Sequence, residues 1–135
     1  MGSTQPVENM TIASSTVLGR SPLNFSRPGI QNKLIRKLRQ GKIFPQAECD
    51  LHGFTVVQAQ EIIPQFIAQS SHNNLRCIRI IHGKGLSSQT PDAPILKNYI
   101  NQQLREYHLV LAFCSALPQD GGTGAVYVLL KNNGE

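Results

Sequence analysis

The chain has no tryptophan, no Cys-x-x-Cys pair and no apolar run of bilayer length, and only 16% of its 135 residues are charged. Each absence removes a class. Without a long apolar run there is no membrane span to place. The cysteines, Cys49, Cys77 and Cys114, lie far apart among apolar neighbours, which excludes a disulfide scaffold and a zinc cluster and fits a reducing cytosol. Low charge with 40% apolar residues excludes a charge-rich disordered protein. The first ten residues, MGSTQPVENM, hold no basic cluster followed by an apolar core, so no secretion signal is expected. No G-x-x-x-x-G-K-[ST] run is present, which argues against a nucleoside triphosphate site. A chain of this length makes one domain.

What is there is a net charge of +5, concentrated in one segment. Arg27, Lys33, Arg36, Lys37, Arg39 and Lys42 fall within sixteen positions, with no acid between them. Such a run reads as an arm or short helix that touches a polyanion. The plain alternative is a solvated helix whose charges keep it soluble.

Residues 1–26 are rich in Ser, Thr, Asn and Pro and read as a flexible tail. A basic extension, 27–45, follows. Within it Gln31–Gln40 can form a helix with Leu34, Ile35 and Leu38 on one face, ended by Gly41. From residue 46 to 132 the pattern is strand, helix, strand, helix, strand, strand. Strands are expected at 47–52, 76–82, 109–115 and 125–131. Thr55 and Gln58 form a T-x-x-Q capping box for a helix to about Ser70, with Ala59, Ile62, Ile63, Phe66 and Ile67 inward and Pro64 as a kink or break. Asp92 can cap a helix to about Tyr107 that buries Ile95, Leu96, Tyr99, Ile100 and Leu104. Alternating strands and helices imply parallel pairing, while the last two strands, joined without a helix, suit an antiparallel pair. The expected fold is a two-layer α/β sandwich, β-α-β-α-β-β, with a mixed four-stranded sheet.

In α/β sheets ligands gather beyond the carboxyl ends of parallel strands. The first strand ends in Asp50-Leu51-His52-Gly53 and the second in His82-Gly83-Lys84-Gly85. If the two are neighbours, Asp50, His52, His82 and Lys84 converge at one edge. These residue types suit phosphodiester cleavage. Two imidazoles titrate near neutral pH and can take and give the proton, and a carboxylate can orient one of them. Lys84 and backbone N–H groups of Gly83, Gly85, Gly121, Gly122 and Gly124 would hold phosphate and carry the developing charge. On this reading His82→Ala abolishes cutting and spares binding. Each part has a plainer explanation too: a hydrogen-bonded structural histidine, a turn carboxylate, an ordinary glycine turn. A metal on Asp50, His52 and His82 is the weaker option, because only an i, i+2 pair and one remote histidine are available. No cofactor is required; a divalent ion such as Mg²⁺ enters only if activated water is the nucleophile.

DLHG at 50–53, HGKG at 82–85 and GGTGA at 121–125, in this order and spacing, resemble the Smr (small MutS-related) domain, over about residues 46–131. The lead-in RPGIQNKLIRKLRQGKIFPQAECDLHG resembles stand-alone bacterial Smr proteins of the SmrA kind. The resemblance implies a fold like the C-terminal domain of bacterial translation initiation factor three. It also implies endonuclease activity on DNA or RNA, with a ribosomal link in one branch. It places the family's acidic-and-His pair on Asp50 and His52, its second histidine on His82 and its Gly-rich loop on 121–125. Cys49 stands where the family has an aliphatic residue. The expectation is a cytoplasmic, monomeric endonuclease of low sequence specificity, with catalytic Asp50, His52 and His82. Lys33, Arg36, Lys37 and Arg39 would supply backbone affinity. A non-catalytic module that docks on nucleic acid or the ribosome is the alternative.

Overall fold

The computed structural model describes residues 17–84 and 94–132. Five strands and three α-helices run in the order β1 (Asn24–Ser26), α1 (Asn32–Arg39), β2 (Glu48–Asp50), α2 (Val56–His72), β3 (Cys77–Ile81), α3 (Ile95–Gln103), β4 (Val110–Ser115) and β5 (Ala125–Leu130). The strands make one mixed sheet in the order β1-β4-β5-β3-β2. β2 and β3 are parallel; the other pairs are antiparallel. Among the described residues no helix is long and apolar enough to cross a membrane.

The expected four-stranded sheet is therefore five-stranded. The added strand comes from the segment read as a tail. Its polar composition hides three anchors. Phe25 sits opposite Phe113 in the β1–β4 pair, Leu23 is buried, and Leu23 N–H donates to Ser115 Oγ at 2.7 Å. The fully buried Lys97 on α3 then ties down the preceding turn. Its ammonium donates to the carbonyls of Leu18 (2.9 Å), Gly19 (3.0 Å) and Ser21. Residues 17–26 are thus part of the fold.

Side-chain alternation splits the core in two. Ile78, Ile80, Val126, Val128 and Phe113 face α2 and α3, packing with Ala59, Ile63, Ile67 and Ile100. Cys77, Tyr127, Leu129, Ala112 and Cys114 face the other way, where Leu38 of α1 covers them with Leu34 beside it. The two-layer expectation is corrected to three layers: the basic helix is a structural lid as well as a charged surface. Gly41 ends α1 with φ +71°, where a side chain is strained, and a Cβ there would lie 2.5 Å from Leu117 Cδ1 and push it aside.

The capping box forms as expected. Gln58 N–H donates to Thr55 Oγ1 at 3.2 Å, and Thr55 N–H donates to Gln58 Oε1 at 2.9 Å. α2 runs unbroken through Pro64 to His72. The next helix differs from expectation. It starts at Ile95, which is 69% exposed rather than inward, and its buried face carries Lys97, Ile100 and Asn101. Asp92, the expected cap, lies outside the described residues.

Candidate active site

β2 and β3 pair in parallel with Asp50 opposite Ile81, and Leu51 N–H donates to Ile81 O at 2.7 Å. The two strand tips are therefore adjacent, as the glycine-terminated motifs suggest. At the first tip Asp50 and His52 form a tight pair. His52 Nδ1 lies 2.6 Å from Asp50 Oδ1, and the His52 backbone N–H donates to the same oxygen at 3.1 Å. The bond from the His52 ring is the main reason the Asp50 carboxyl lies below its ordinary range, followed by the His52 backbone N–H. With Nδ1–H committed to the carboxylate, Nε2 carries the ring's lone pair. The His52 side chain is 71% exposed, so that nitrogen is open to a ligand.

His82 is not part of this pair. In β3 the side chains of Ile78 and Ile80 face α2 and α3, and those of Cys77 and Ile81 face α1. His82 follows the parity of Ile78 and Ile80. Asp50, opposite Ile81, is on the other face. The His82 ring is buried, at 4% exposure, with Nδ1 2.6 Å from Gly83 O. Its Nε2 has no hydrogen-bond partner among the described residues. The expected solvent-facing position of the second imidazole is corrected: the His82 ring is enclosed while that of His52 is open. Among the described residues no three His, Cys, Asp or Glu side chains gather as a metal set.

Burial pushes the His82 imidazole down to about 4; the Gly83 carbonyl opposes that shift and the nearby Lys97 ammonium adds to it. A depressed histidine stabilises the fold only while neutral. As pH falls through 6.5 the unfolded chain takes up a proton that the folded chain refuses until about 4. Stability is therefore expected to fall by up to about 3 kcal/mol between pH 6.5 and 4 from this residue. Thermal melting across that range checks it; in His82→Asn this part of the slope should vanish.

The described glycine N–H groups expected to face phosphate bond backbone carbonyls instead. The N–H groups of Gly121, Gly122 and Gly124 donate within the turn, to Pro118 O, Leu117 O and Gly121 O. Those of His82 and Gly83 both donate to Gly124 O at 2.9 Å. Their work is close packing. A Cβ on Gly124 would lie 3.1 Å from Lys84 Cγ, and one on Gly83 would lie 3.4 Å from His52 Cβ. The loop is thereby stacked on HGKG, and the base of HGKG on the His52 backbone. Lys84 is exposed at this junction. Gly85 lies outside the described residues.

The basic segment divides by role. Arg27 is structural, donating to the carbonyls of Val110, Arg105 and Tyr107. Arg39 is held by Asn24 Oδ1 at 2.9 Å. Lys33, Arg36 and Lys37 are exposed on α1, and Lys33 and Lys37 flank a shallow hollow of about 240 Å³. α1 covers the sheet face that Asp50 shares, so these cations and the Asp50–His52 pair lie on the same side of the sheet.

Residues 49–131 match the family described as the Smr domain. The chain belongs to the Smr family. The probable DNA endonuclease SmrA of Escherichia coli strain K12 is 39% identical over 114 residues, covering 84% of this chain and 60% of that protein. The ribosome rescue factor SmrB of Yersinia pseudotuberculosis is 32% identical over 110 residues, covering 82% and 58%. This Smr chain thus spans about three fifths of these relatives. Among solved structures, YdaL, a stand-alone small MutS-related protein from Escherichia coli, superposes with a TM-score of 0.75 at 38% identity, covering 87% of this chain and 88% of YdaL. The Smr domain of Thermus thermophilus MutS2 gives 0.54 at 29% identity, over 63% of this chain and 98% of that domain. The better superposition on the stand-alone protein fits a fold that extends past the family match, through α1 and β1.

Sequence reasoning missed two features. Lys97 sits in an amphipathic helix pattern, where a lysine reads as solvated. Phe44, at 79% exposure, lies outside any apolar stripe and beside a proline, which is the signal that could have singled it out.

Proposed function

We propose that this Smr protein is a nucleic-acid endonuclease of low sequence specificity in which His52 moves the proton and Asp50 orients it. The observation that carries the reading is the exposed imidazole held by a carboxylate through Nδ1, which leaves Nε2 as the ring's free nitrogen. His52 Nε2 takes the proton from the attacking oxygen as that oxygen bonds to phosphorus. The bond from phosphorus to the leaving oxygen then breaks, and the imidazolium or water returns a proton to it. Lys84 offsets charge on the non-bridging oxygens. Lys33, Arg36 and Lys37 supply salt-sensitive, sequence-independent affinity on the same side of the sheet. Relatives named as a probable DNA endonuclease and as ribosome rescue factors agree with a nucleic-acid substrate of either kind.

Both DNA and RNA should be assayed, with and without chelator, and with a single 2′-deoxy nucleotide at the RNA cut site. If the substrate's own 2′-OH is the nucleophile, the deoxy position blocks cutting and the chelator does not. If water attacks, the deoxy substrate is cut. Absence of cutting on any polymer overturns the nuclease reading. A second reading, a binding module without cleavage, is favoured by one observation: only one imidazole stands at the open tip.

A further inference from the structure

The sheet face that carries Asp50 also carries a groove of about 550 Å³, lined by Gly41, Phe44, Glu48, Arg79, Leu117 and Asp120 among others. Its size is within the roughly 300–1,000 Å³ that ligand clefts occupy. The floor is built from a closed polar network. Arg79 pairs with Glu48 and donates to Asp120 O at 2.9 Å. The Tyr127 hydroxyl bonds the Asp120 carboxylate, and Leu117 N–H donates to the same hydroxyl at 3.2 Å. Those bonds join β2, β3, β5 and the 117–120 turn, so the floor is preformed. Phe44 stands at the rim, 79% exposed, with no apolar stripe to join.

We propose that this groove is a nucleobase subsite, in which an unstacked base of a single-stranded substrate lies on the Phe44 ring. The proposal rests on the endonuclease reading above and adds to it. Three observations choose the ligand. The lining holds one guanidinium, Arg79, against two carboxylates, Glu48 and Asp120, so it repels a phosphate and accepts a neutral base whose amino edge can donate to oxygen. Glu48 is two residues before Asp50 on β2 with the same side-chain parity, about 7 Å along the strand, so a base placed here adjoins a phosphate at the Asp50–His52 pair. Lys42 and the cations of α1, on the same sheet face, attract the backbone that delivers it. Base–aromatic stacking tolerates any base, which agrees with low sequence specificity, and the carboxylates add a preference for adenine, cytosine and guanine over uracil or thymine.

The absence of tryptophan gives a direct probe. In Phe44→Trp the new indole is the only one, and short single-stranded DNA and RNA oligonucleotides should quench it on saturation. Phe44→Ala should weaken binding of the same oligonucleotides by roughly 5- to 100-fold, measured by fluorescence anisotropy. That loss should disappear on a fully abasic oligonucleotide, and a uracil-only strand should bind more weakly than an adenine-only one. If the parent protein binds the oligonucleotides but indole emission is unchanged and Phe44→Ala binds equally, the subsite is wrong and the endonuclease reading stands. If the parent binds no oligonucleotide, both fall. Equal losses for Phe44→Ala on abasic and normal strands would overturn the stacking role.

Discussion

His52→Ala is expected to lower cleavage by roughly 10²- to 10⁴-fold while nucleic-acid binding stays nearly unchanged. The ring is exposed and makes its described bond to Asp50 alone, so its removal leaves no cavity and strands no buried group. The loss would belong to the proton step. Asp50→Asn should cost less, roughly 10-fold or more, because an amide can still bond the ring but no longer fixes the tautomer that leaves Nε2 free. Single-turnover cleavage, with binding measured separately, distinguishes these effects. His82→Ala has a different signature. The Asp50–His52 pair remains intact, and any loss of cutting should track a loss of thermal stability. A His52→Ala variant that cuts at the parent rate would remove the proposed base from the mechanism.

Lys97→Met is expected to be among the most destabilising single changes in the chain, by about 2–4 kcal/mol. Methionine keeps the apolar stem but offers no donor to the Leu18, Gly19 and Ser21 carbonyls. Burial, with Lys84 second, pushes the Lys97 ammonium down to about 8, so holding the charge inside already has a cost that the three carbonyls offset. Removing it should lower the melting temperature by roughly 6–15 °C. Because the bonds converge on residues 18–21, amide exchange in 17–26 should rise before exchange in the central strands β5 and β3. An unchanged melting temperature with unchanged protection there would mean that the β1 segment is held by Leu23 and Phe25 alone.

The two effects act on opposite faces of one sheet. The Asp50–His52 pair can be open to solvent because α2 and α3 bury the other face, where His82 and Lys97 lie. The same α1 that carries exposed Lys33, Arg36 and Lys37 seals Cys77, Cys114 and Leu129 with Leu38. The charged helix therefore cannot be trimmed as a mere appendage: its loss would expose an apolar face along with removing the cations.

Much of the local structure was legible because it depends on neighbours in sequence. The Thr55–Gln58 box, the glycine stop after α1, the parallel pairing of DLHG with HGKG and the Asp50–His52 pair all follow from spacing and residue type. β1 was not legible, since three polar-flanked residues become a strand only when β4 offers an unpaired edge and Lys97 holds the turn before them. The face on which His82 falls was not legible either. Both histidines end parallel strands, and sequence alone placed them together. The pairing of Asp50 with Ile81 rather than with His82 is a tertiary fact, and side chains alternate with a period of two. One residue of register thus decided that one imidazole meets solvent while the other is enclosed beneath the helices.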